Sequence, residues 1–153
     1  MLVETDRCEE TSRRAVELCY RLAYLEGRRL AKMPLSLGEA SQLATLGPLL
    51  GGEPQGRRRH RRMAVAIQAT ARPASGSQES LGQVLVLNIS AGGVFAASEA
   101  PLPPGTALQL RLACDERLEY SFPCVVQWTG ERGMGLRFAG IPLELRRGGP
   151  AQN

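Results

Sequence analysis

Residues 56 to 65 read GRRRHRRMAV, so Arg57, Arg58, Arg59, Arg61 and Arg62 surround the chain's one histidine, His60, just before an apolar run. Guanidinium is planar, permanently charged and carries paired N–H donors. It can therefore meet two phosphate oxygens, or the O6/N7 edge of guanine, in one bidentate contact. Several such groups on one short segment suit a ligand that offers both phosphate and guanine. The cluster alone does not define a site, because basic runs also serve as solvated surface or as nonspecific polyanion contacts. A second candidate is LNISAGGVF, residues 87 to 95, where Asn88, Ser90, Gly92 and Gly93 interrupt two apolar stretches. Its glycines allow positive φ and close approach of a ligand, and the Asn88 amide and Ser90 hydroxyl can hydrogen-bond a base edge or a phosphate. The same residues would also make a tight hairpin that satisfies its own backbone.

Catalytic chemistry has no evident agent. No carboxylate pair, nucleophile with base, or metal-ligand spacing accompanies the arginines, and a cationic His60 is disfavoured among like charges, so it reads as a spacer. The glycine-rich turn lacks the GxxxxGK[ST] pattern of a nucleoside triphosphate site. Cys8, Cys19, Cys114 and Cys124 show no CxxC spacing, which leaves buried free thiols as the expectation. Binding rather than catalysis is expected, with no metal and no resident cofactor.

The elements that must position these residues follow from pattern. At 153 residues, 43% hydrophobic and 22% charged, the chain suits one ordinary domain with an appendage. Asp6 with Glu9 reads as a capping pair, and Ala15, Leu18, Cys19, Leu22 and Leu25 repeat at helical spacing, giving a helix that ends near Lys32. After Pro34, Ser36 with Glu39 forms a second capping box, flanked by Leu35 and Ala40 as a hydrophobic staple. That second helix should stop near Leu46, since Gly47 suits the left-handed position and Pro48 cannot continue. The composition of GPLLGGEPQG, residues 47 to 56, marks a boundary.

Beyond it the period shortens to that of strands. Ala64–Ala71, Val84–Leu87, Val94–Ala97, Leu108–Leu112, Phe122–Trp128 and Met134–Phe138 are apolar or alternating runs, separated by turn-forming stretches. Six short strands without a second sheet's worth of material favour a small closed barrel. Net charge is +4, and residues 51 to 153 carry its excess, with five of their basic groups in the arginine stretch. A small polyanion is thus favoured over a long one. No apolar run is long enough to cross a bilayer, and the N-terminus is unlike a signal peptide, so the expectation is a cytoplasmic protein without a membrane span.

Taken together, the two polar elements resemble the PilZ family of cyclic di-GMP receptors, whose signature is RxxxR, a strand, then [D/N]xSxxG. Arg58 and Arg62 fit the first motif, with Arg57 to Arg61 as a shifted frame; Asn88, Ser90 and Gly93 fit the second. GMGLRF, residues 133 to 138, resembles the family's closing strand, and the likeness spans roughly 56 to 142. The resemblance implies a six-stranded barrel and leaves the N-terminal hairpin unaccounted for; with the helices read above, the expected fold is an all-β, six-stranded antiparallel PilZ-type barrel with an N-terminal α-helical hairpin, α+β overall. The chain then divides into a hairpin at 1–50, a flexible linker at 51–56, the barrel at 57–142 and a tail at 143–153.

It also implies that the arginine segment wraps cyclic di-GMP against the barrel. Arg58 and Arg62 would pair with phosphate or guanine edges, Asn88 and Ser90 would meet a guanine or its phosphate, and Gly93 would keep the surface open. Arg57 would add a stacked guanidinium and favour an intercalated ligand dimer; Trp128, at a strand end, is a candidate base-stacking platform. Ligand binding would order the arginines and reposition the hairpin, signalling to a partner protein in motility, attachment or matrix production. The hairpin's apolar stripe can pack on the barrel, join two copies into a homodimer or dock on that partner. Two alternatives stand beside this one: a PilZ-like scaffold that binds no ligand, and a nucleic-acid-binding module, the less favoured, which would show steep salt dependence.

Overall fold

The computed structural model describes residues 2–50, 62–73, 82–113 and 117–146. Two helices, α1 (Leu2–Leu30) and α2 (Leu37–Leu50), precede seven strands. The apolar stripe of α1 is buried at Ala15, Cys19, Leu22 and Leu25, while Leu18 is 41% exposed at its margin. Because α1 begins at Leu2, Asp6 lies inside it and is not its cap. Residues 2 to 5 contain neither Gly nor Pro, so nothing local forces the helix to start at the capping pair.

The end of α1 is a Schellman closure. Met33 N–H donates to Arg28 C=O at 2.9 Å and Lys32 N–H to Arg29 C=O at 3.0 Å, with Lys32 in the left-handed region at φ 60°. The box at the start of α2 forms as expected: Ser36 N–H donates to Glu39 Oε1 at 2.9 Å, and Glu39 N–H donates to Ser36 Oγ at 3.1 Å. The expected stop at Leu46 does not occur, and α2 continues through Pro48 to Leu50. Gly47 takes no positive φ. The ring's own φ, about −65°, is helical, and its missing N–H removes one pairing, that with the carbonyl of Ala44 four residues back.

The strands are β1 (Met63–Pro73), β2 (Gly82–Ile89), β3 (Gly93–Ala97), β4 (Ala107–Ala113), β5 (Leu118–Thr129), β6 (Gly133–Phe138) and β7 (Leu143–Arg146). All pairings are antiparallel in the order β4-β1-β2-β3-β6-β5, and β4 also pairs with β5, which closes a six-stranded barrel. Each of the six expected strands is present, longer at its ends. β7 lies within the segment read as a tail and pairs with residues 118 to 121 of β5, beyond the stretch of β5 taken by β6.

Alternation places Val84, Val86, Leu108, Leu110, Leu112, Phe122, Cys124 and Val126 inside. α1 closes the core: Tyr20 stacks on Tyr120 at 4.2 Å and meets Phe122 edge-on at 6.1 Å, and Phe122 stacks on Phe138 at 4.4 Å. The hairpin's intramolecular packing is thus the one its amphipathic stripe adopts.

Two β-bulges then change which residues face out. Val86 pairs with Ala96 but Asn88 with Phe95, so β2 carries an extra residue at Leu87. Val126 pairs with Leu136 but Trp128 with Gly135, so β5 carries an extra residue at Gln127. Strict alternation from Val86 and Val126 would send Asn88 and Trp128 into the core. The bulges turn both outward and bury Ile89 instead.

Candidate functional site

The register that follows aligns Asn88, Phe95, Gly135 and Trp128 as one lateral row across β2, β3, β6 and β5. Gly135 is the gap in that row. A Cβ there would overlap the Trp128 indole, so the missing side chain lets Trp128 lie across β6 and stack on Phe95 at 5.5 Å and 15°. Trp128 remains 44% exposed. Asn88 is half-buried, and no described residue hydrogen-bonds its side-chain amide.

The turn between β2 and β3 is held by its own residues. Ser90 N–H donates to Gly93 C=O at 2.8 Å, and Gly92 N–H donates to Ser90 Oγ at 3.1 Å. Neither Gly92 nor Gly93 uses the positive φ open to it. Gly93 is needed for another reason: a Cβ would overlap the Leu136 carbonyl oxygen, so glycine is what allows β6 to approach β3. Strand packing thus requires glycine here irrespective of its expected task at the surface. Beneath the turn, Ala91 is buried with Leu22 of α1, and Leu43 and Leu46 of α2 pack on that pair. The hairpin therefore rests directly on the second motif.

Arg62, Asn88, Ser90, Gly93 and Trp128 all line one groove of about 990 Å³. This is at the upper end of the roughly 300–1,000 Å³ typical of small-molecule sites. One wall is the outer face of the barrel, with Phe95, Gln127 and Arg137 added to the expected residues; the other is the end of α1, from Ala23 to Ala31. Arg57 and Arg58 lie outside the described residues, as do His60 and the linker at 51–56.

A model of the PilZ domain matches residues 56–148. The chain belongs to the PilZ family. No curated protein matches it. The matched stretch contains the barrel wall of the groove and β7 but neither helix, so the second wall is an addition to the PilZ domain proper. PilZ membership supports cyclic di-GMP binding or an adaptor role in general, in binding modules rather than enzymes.

Sequence reasoning missed Phe95, Arg137 and Gly135. Arg137 and Gly135 stood in GMGLRF, but period-2 alternation carries no sign of a bulge and so could not set Gly135 opposite Trp128. Cys19 and Cys124 are buried free thiols, and burial pushes both up to about 12, which leaves them protonated and poorly nucleophilic near neutral pH. Cys114 and the Cys8 side chain lie outside the described residues. No cluster of metal-ligating side chains occurs among the described residues, and no helix there is long and apolar enough to cross a membrane.

Proposed function

We propose that this PilZ protein is a receptor for cyclic di-GMP that passes ligand occupancy to its N-terminal hairpin and thence to a partner protein. The observation that carries the proposal is the convergence of Arg62, Asn88, Ser90, Gly93 and Trp128 on one groove. The ligand presents two phosphates and two guanines. Arg62, with Arg57 and Arg58 from the preceding segment, supplies bidentate contacts to either feature. The Asn88 amide offers both donor and acceptor to a base edge, and the exposed Trp128 face offers stacking.

An anion among closely spaced guanidiniums removes their mutual repulsion and so favours an ordered arrangement of the segment. Because Ala91 of the ligand-binding turn is packed under both helices, reseating that turn moves the hairpin. The partner is then a protein that reads the hairpin's position, in the cytoplasm, within motility or biofilm control.

The test is isothermal titration of the full chain with cyclic di-GMP at physiological salt, against GTP and a short oligonucleotide. Saturable micromolar or tighter binding to cyclic di-GMP alone is expected; equal binding of the oligonucleotide would favour the nucleic-acid alternative. Two ligands per protein would support the intercalated dimer associated with Arg57, and one would exclude it. A scaffold without ligand draws on a specific observation: Ser90 and Gly93 each serve the turn or the strand packing irrespective of any ligand. No heat with any of the three ligands would favour that scaffold.

A further inference from the structure

The end of α1 brings a cation to the groove that lies outside the matched PilZ domain. Arg28 and Arg29 occupy its last turn, where positive charge complements the helix dipole. Arg28 is spent on closing the hairpin: it meets Glu39 Oε2 at 2.6 Å, donates to the Pro34 carbonyl at 2.7 Å and lies over the Tyr24 ring. Arg29 is exposed, lines the groove, and its side chain makes no hydrogen bond or ion pair with a described residue. Arg62 and Arg137, on the barrel wall of the same groove, are likewise without such a partner.

The position of Arg29 is fixed rather than adventitious. Two residues earlier, Gly27 approaches the β6–β7 connection so closely that a Cβ would stand 3.1 Å from Ile141 Cγ1. The Schellman closure at Lys32 ends the helix just past the groove. Three guanidiniums, Arg29, Arg62 and Arg137, outnumber the one lining carboxylate among the described residues, Glu26, so the cavity favours an anion, and an anion with two separated charges satisfies both walls at once.

We propose that Arg29 is a ligand-binding residue of this groove, and that a dinucleotide with two phosphates is held between the barrel and α1 as a strut, one phosphate served by each wall. This rests on the cyclic di-GMP reading above. It adds a selectivity device, since a mononucleotide can engage only one wall. It also adds a direct coupling, since any ligand that touches both bodies must stabilise the docked hairpin by the same factor by which docking strengthens binding.

The test is titration of the full chain and its Arg29→Ala and Arg29→Glu variants with cyclic di-GMP and with GMP, using Arg111→Ala, an exposed charge on β4 outside the groove, as control. The expected result is a loss of about tenfold or more in cyclic di-GMP affinity for Arg29→Ala, a larger loss for Arg29→Glu, and unchanged GMP affinity. Thermal unfolding of the unliganded variants should match wild type, because Arg29 is exposed. Wild-type binding of cyclic di-GMP with Arg29→Ala no weaker than Arg111→Ala would overturn the strut while leaving the receptor intact. Equal losses for GMP and cyclic di-GMP would also overturn it, and absence of wild-type binding would remove both proposals together.

Discussion

Two aromatic stacks stand in this barrel, and they are used differently. The inner one, Tyr20 with Tyr120, Phe122 and Phe138, joins α1 to the core, and its central ring is fully buried. The outer one, Phe95 with Trp128, lies over a glycine on the barrel's exterior and leaves much of the indole in solvent beside Arg62 and Arg137. Ring chemistry is common to both. Surroundings separate them: apolar surface covered on every side stabilises the fold, whereas a ring left partly in solvent beside cations keeps a free stacking face.

The widest gap between the stacks should appear on truncation. Phe122→Ala should cost about 3–5 kcal/mol of stability, read by chemical denaturation, because it empties a site between stacked rings; a loss under about 1 kcal/mol would break the distinction. On the outer side, Arg62→Ala should weaken cyclic di-GMP binding by about 2–5 kcal/mol in calorimetry while leaving the unfolding midpoint close to wild type. Trp128→Ala should cost about 1–3 kcal/mol of affinity and far less stability than Phe122→Ala. A Trp128 variant that unfolds like the Phe122 one would place both stacks in the core.

Smaller changes act on the hairpin that carries Tyr20 to the inner stack. Lys32→Gly relieves a non-glycine residue of its left-handed backbone and should raise stability by about 0.5–1 kcal/mol, visible as a higher midpoint. Smallest is an acid effect at Glu39, whose carboxyl is held below its usual range chiefly by the Ser36 N–H, with Arg28 assisting. A depressed carboxylate stabilises above its unfolded pKa and loses that contribution as pH falls through the folded one. The stability difference between wild type and Glu39→Gln should therefore shrink below the ordinary carboxylate range.

Much of this architecture was legible because it is written in local period. Val84, Leu108, Leu110 and Phe122 alternate as strand residues must, and Ser36 with Glu39 carries its capping function in its spacing. The motif residues Arg62, Asn88 and Trp128 were legible as types, from the chemistry of guanidinium, amide and indole. What escaped depended on long-range partners. β7 exists because β5 continues past the reach of β6, a property of another strand's length. α2 passes Pro48 because helical φ suits the ring. Gly93 is a glycine for the sake of the Leu136 carbonyl, far away in the chain, and Gly135 for the sake of the Trp128 indole on the neighbouring strand. Arg29 could not be assigned to the groove until α1 was seen to dock beside it.

The extra residues at Leu87 and Gln127 also put one residue more than plain alternation needs between the last core position and the outward row. Deleting Gln127 would seat Trp128 directly after inward-facing Val126, so plain alternation would itself keep the indole outward opposite Gly135. Removing Leu87 would likewise leave Asn88 outward opposite Phe95. A related chain can therefore present the same exterior row with one residue fewer in either strand, while two residues of spacing without a bulge would bury the motif side chain. Comparisons among such barrels gain from counting residues between the last core position and the motif before comparing the motif itself.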